Sequence, residues 1–175
     1  MIFYHLDRTS SLIEGKVLKN YNLNSVTNYL EDHADFLFPK GFSSHGRTYL
    51  LNSNSPDAKI EWFYEYVRRS HFNSKPSRFT SFFAVDCLDE IDDIFGETYG
   101  DVYKIEAEHS FRADMNLLKS PDNFLDMSIY AHKYWTGELY EDFYRLNTNE
   151  KIKWEYLLYG EIKVKEKVKE FKPLK

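Results

Sequence analysis

The chain has 175 residues, enough for one domain around a single core. A net charge of -5 and a pI of about 5.7 exclude a molecule that attracts nucleic acid over its whole surface, although a local basic face remains open. A lone cysteine, Cys87, excludes an internal disulfide framework and fits a reducing compartment, while the 18% of aromatic residues supply both core surface and rings able to stack on a flat ligand.

The first strand is predicted over residues 2–8, with Phe3, His5 and Asp7 on one face and Tyr4, Leu6 and Arg8 on the other. Ser10 and Ser11 offer a helix cap before a short segment ending near Gly15. After Asn24 or Ser25, the residues Val26, Tyr29, Leu30, His33, Ala34 and Leu37 recur at helical spacing. Pro39 to Pro56 reads as a long binding loop. Ser55-Pro56 opens a helix expected to turn Ile60, Phe63, Tyr66 and Val67 inward and to end near Arg68-Arg69.

Residues 78–85 are predicted as a second strand, with Ser81 on the face of Phe79, Phe83 and Val85. Asp86 can cap a helix carrying Leu88, Ile91, Ile94 and Phe95, with Gly96 near its end. Val102 to Phe111 alternates as a strand, 123–135 and 138–146 look helical, and 154–168 forms one or two strands. No repeat or linker divides the chain, so residues 1–175 are read as one mixed α+β domain. No apolar run approaches the roughly 18 residues that span a bilayer. The start, Met1-Ile2-Phe3-Tyr4-His5, lacks the pattern of a signal peptide, so a soluble cytoplasmic protein is expected.

Three segments place chemistry inside apolar runs. Glu155 lies between Trp154 and Tyr156-Leu157-Leu158, where a carboxylate must find a partner or shift its pKa. It could stabilise a positive charge developing on a sugar, or it could be a polar residue on the exposed side of an alternating strand. His5 can accept and donate at its two ring nitrogens, which suits a ribose hydroxyl, with Asp7 two residues on to orient it; an ordinary strand histidine bonded to backbone is the plain alternative. Arg8 and Arg78 have the geometry for phosphate, or for pairing with one of the many acids. Ser81 and Phe82 set a hydroxyl beside a ring, in a stretch that also reads as ordinary core strand. The six histidines show no metal-ligand spacing, and no P-loop or nucleophile elbow is present.

In this order, Tyr4-His5-Leu6, then Phe79-Thr80-Ser81-Phe82-Phe83-Ala84, then Glu155-Tyr156-Leu157-Leu158 with Gly160 and Ile162-Lys163-Val164, the chain resembles the ADP-ribosyltransferase superfamily. The histidine is the choice of its diphtheria-toxin and poly(ADP-ribose) polymerase branch, and the opening is also similar to that of DarT-type toxins. Lys153 stands where arginine-specific members carry Glu or Gln, and Phe82 lacks the phenol of the polymerase branch. The resemblance implies an α+β fold of two facing, mainly antiparallel sheets with flanking helices and an NAD cleft between them. It implies Glu155 as the catalytic residue, His5 as the contact to the ribose, and Ser81 and Phe82 as the lining of the nicotinamide end; Asp7, Arg8 and Arg78 are further candidate contacts to NAD. The acceptor of ADP-ribose would be a protein or a nucleic acid, or water in a glycohydrolase, and the fold could also serve as an inactive binding module. Arg68-Arg69-Ser70-His71 to Lys75 and Arg78 is the basic stretch to consider for a nucleic acid, or it simply complements a helix C-terminus.

Overall fold

A computed structural model describes residues 1–22, 28–52, 54–95, 99–139 and 151–171. The expected helix over 138–146 lies almost wholly outside the described residues, as does the start of the helix placed after Asn24. The fold is α+β, with antiparallel strands and helices, and the chain packs as two compact units. One unit is Met1–Leu18 with Phe83–Lys175; the other is Lys19–Phe82.

The first unit carries the sheet. Its strands are β1 (Ile2–Asp7), β2 (Phe82–Ala84, which begins at the unit boundary), β3 (Gly100–Asp114) and β4 (Trp154–Phe171). Their order is β1-β3-β4-β2. β1 runs antiparallel to the first half of β3, with His5 opposite Tyr103. β3 and β4 form one long antiparallel ladder in which Ala113 faces Glu155 and Ala107 faces Ile162. Between Ala107 and His109 the register slips by one, because β4 takes three steps from Ile162 to Tyr159 where β3 takes two. Gly160 sits in that bulge at φ 79°, a backbone region open to glycine at little cost, so this glycine bends a strand and does not end it.

The other edge of β1 is used as well. Tyr4 and Val85 exchange both backbone hydrogen bonds, at 2.8 and 3.0 Å. The chain leaving β2, at one end of the strand order, is thus bonded to β1 at the other end. The resemblance implies two facing sheets; the described strands form one four-stranded sheet, since the β3–β4 ladder runs through both halves. Leu6, Val85, Ile91, Ile94 and Val102 fill the core between this sheet and α4 (Ile91–Phe95). Asp86 does not cap that helix; a short 3-10 turn, Leu88–Glu90, leads into it. α5 (Phe124–Thr136) starts on an Asn123 cap and packs Trp135 on Phe111 with ring centroids 5.7 Å apart. Ser10 and Ser11 begin no helix, because the Asp7 carboxylate takes the amides of Thr9, Ser11 and Leu12 and folds that stretch into a bend.

The second unit holds α1 (Asn28–Leu37), α2 (Ser44–Leu51) and α3 (Pro56–His71). The stretch read as a loop from Pro39 to Pro56 contains α2, capped by the Ser43 hydroxyl accepting from the Gly46 amide. Gly46 marks a close approach: a Cβ there would lie 2.0 Å from the Phe79 carbonyl oxygen. α3 begins on Ser55-Pro56 as expected, with the Ser55 hydroxyl accepting from Ala58. Its buried stripe differs from the apolar pattern. Ala58, Glu61, Tyr64, Glu65 and Val67 are inside, whereas Tyr66 is 57% exposed. The reason is pairing, since both buried carboxylates meet guanidinium groups.

Candidate functional site

Strand alternation carries His5 away from Tyr4 and Leu6, which join the core over α4. Its Nδ1 lies 2.6 Å from the Phe83 carbonyl oxygen. Burial lowers the imidazole pKa, a little offset by the Phe83 carbonyl and the Asp7 charge, so the ring is neutral. A carbonyl only accepts, hence Nδ1 carries the proton and donates it, and Nε2 is left as an acceptor. Among the described residues Nε2 has no partner, and the residue is half-buried.

Glu155 begins β4 and is 2% exposed. Its Oε1 accepts from the Tyr134 hydroxyl of α5 at 2.7 Å. Tyr156 stands beside it. That phenol donates to Asp86 Oδ2 at 2.6 Å, and its ring lies 5.0 Å from the ring of Phe3. Burial and the Asp86 carboxylate push the Tyr156 phenol up to about 12. The start of β4, the chain leaving β2 and β1 therefore come together. His5 is two residues from Phe3, and Glu155 is next to Tyr156. On β3, His5 lies opposite Tyr103 and Glu155 lies opposite Ala113.

The remaining expected residues are placed differently. The Asp7 carboxylate is filled by the Thr9, Ser11 and Leu12 amides and the Thr9 hydroxyl, and those bonds outweigh burial to lower its pKa. Arg8 is exposed. In the second unit, residues 77–80 turn back, with Thr80 and Ser81 amides both bonded to the Ser77 carbonyl, so the predicted strand over 78–85 shortens to Phe82–Ala84. Arg78 is 2% exposed and grips Glu61 with two bonds of 2.7 and 2.8 Å; it faces a carboxylate, not a phosphate. Ser81 is fully buried, and its Oγ has no hydrogen-bond partner among the described residues. Phe82 is 9% exposed.

Among the described residues, the first unit carries surface depressions. One of about 560 Å³ is lined by Met1, Glu106, Ala107, Glu108, Glu161 and Lys163, and one of about 270 Å³ by Glu90, Ile94, Lys151, Ile152 and Lys153. Neither is lined by His5 or Glu155. Tyr134, Tyr156 and Asp86 were not read from the sequence as site residues. Tyr134 had a signal, since Met127, Tyr130, Ala131 and Tyr134 form a buried helical stripe and a buried phenol needs an acceptor.

The geometry defines an α+β domain in which a histidine strand and a glutamate strand converge on the short strand β2. The chain belongs to the family described as Protein of unknown function (DUF2441), whose sequence model matches residues 3–170. No curated protein matches it. Among the described residues no helix is long and apolar enough to cross a membrane, and no group of three or more His, Cys, Asp or Glu side chains is placed to hold a metal ion.

Proposed function

We propose that the protein is an ADP-ribosyltransferase-like enzyme that takes NAD as substrate, cleaves its nicotinamide–ribose bond and transfers ADP-ribose to a macromolecular acceptor, protein or nucleic acid, in the cytoplasm. The observation that supports this most is the convergence of β1 and the start of β4 through Tyr4–Val85, Phe3–Tyr156 and Tyr156–Asp86. A further support is the way the long ladder divides at its bulge. The first half of the ladder pairs with β1, and the bulge at Gly160 bends the ladder beyond it. His5 Nε2 accepts a hydrogen bond from a ribose hydroxyl. The Glu155 carboxylate stabilises the positive charge that grows on the ribose as neutral nicotinamide departs. The acceptor nucleophile then attacks the anomeric carbon and loses its proton.

One observation favours a second reading, an inactive binding module of the same fold. Glu155 is almost wholly covered and already bonded to Tyr134, and Asp7 and Arg78 are engaged within the protein. Incubation with NAD labelled on its adenine side separates the two. Release of nicotinamide that disappears in Glu155→Ala, with label on a macromolecule, supports the transferase. Release without labelled product points to a glycohydrolase, and no release with no NAD-dependent thermal shift leaves the binding module.

A further inference from the structure

We infer that Tyr134 is the positioning residue for Glu155, an inference that rests on the reading above. The phenol and the carboxylate are 0% and 2% exposed, and the hydroxyl donates to Oε1 at 2.7 Å. Tyr134 is itself held from two sides. Trp135 meets its ring edge-on at 4.8 Å, Phe111 meets it edge-on at 6.3 Å, and Phe111 and Trp135 are stacked on each other. Phe111 lies opposite Leu157 on the same β3–β4 ladder that carries Glu155 opposite Ala113. The helix and the two strands therefore fix the hydroxyl relative to the carboxylate with little freedom.

The chemistry gives this bond a direction. A tyrosine hydroxyl that donates to Oε1 stabilises the ionised carboxylate and selects one rotamer of it. A carboxylate whose Oε1 is fixed by that bond is held in one orientation, as stabilisation of a developing sugar cation requires. Tyr134 touches neither substrate nor reacting atom in this scheme; it acts through Glu155.

The test compares Tyr134→Phe, Glu155→Gln and Gly46→Ala with the wild type for release of nicotinamide from NAD. Circular dichroism first fixes a temperature at which each variant is folded. Loss of the hydroxyl is expected to lower kcat by about tenfold to a hundredfold with KM unchanged, the scale of one hydrogen bond to a charged group. Gly46→Ala lies in the second unit, outside α5 and the β3–β4 ladder, so it should lower the melting temperature and leave kcat within about twofold. If Tyr134→Phe does not fold, 2,3-difluorotyrosine at position 134 keeps the ring in place, alters hydroxyl acidity and should change kcat alone. An active wild type with kcat unchanged in Tyr134→Phe, or lowered equally by Gly46→Ala, overturns the positioning role while the enzyme reading stands. A wild type that neither releases nicotinamide nor binds NAD overturns the enzyme reading, and this role with it.

Discussion

His5 shows how a single contact can decide what a side chain offers. A histidine bonded through Nδ1 to a carbonyl can only accept at Nε2, and burial keeps it neutral. Its folded pKa lies below the ordinary value of 6.5, so the stability that follows from this is present above pH 6.5 and is lost as pH falls through the folded pKa. His5→Gln should flatten that part of the stability curve in urea titrations between pH 7 and 5. Glu61 has the same sign at lower pH. Burial alone would raise its pKa, but the Arg78 guanidinium, with help from His45, holds it at about 2 against the usual 4.5. At 1.36 kcal/mol per pH unit this amounts to about 3 kcal/mol, present above pH 4.5 and lost as pH falls toward 2. Arg78→Ala leaves that carboxylate buried without its main partner, and denaturant unfolding should register a loss of about 3–5 kcal/mol.

Among the elements, the strands were more legible than the helix faces. β1 and the start of β4 could be read because short apolar runs around a polar residue alternate with period two. α3 could be bounded by Ser55-Pro56, but its buried face could not be chosen, since Glu61 and Glu65 go inside only because Arg68, Arg69 and Arg78 come to meet them. The Arg78–Glu61 pair is tertiary, and the Glu65 pairs with Arg68 and Arg69, although at helical spacing, read equally well as an exposed charged face. α2 was hidden for a related reason, as Gly46 resembles a loop glycine until Phe79 packs against it. Gly46→Ala should therefore lower stability by about 2 kcal/mol or more, read by thermal unfolding, because the added methyl group would sit on a backbone carbonyl. Tyr66→Lys, on the exposed face of α3, should change it by less than about 0.5 kcal/mol.

At the scale of the whole molecule, the resemblance rests on the order of the segments along the chain, not on any one of them. His5 and Glu155 were legible as candidates, and the Phe3–Tyr156 contact now brings their strands together. Asp7 and Arg78 were legible as polar residues of the right type, but their bonds inside the protein depend on a bend and on a helix that sequence spacing does not reveal. The central claim is that His5 Nε2 receives a hydroxyl of NAD. Nitrogen-15 spectra of the histidine rings, recorded as NAD is added to Glu155→Gln so that the substrate is not consumed, test this most directly. The account predicts an Nδ1-protonated His5 whose Nε2 resonance shifts saturably with NAD. An unmoved His5 resonance at saturating NAD, or a ring protonated at Nε2, would contradict it.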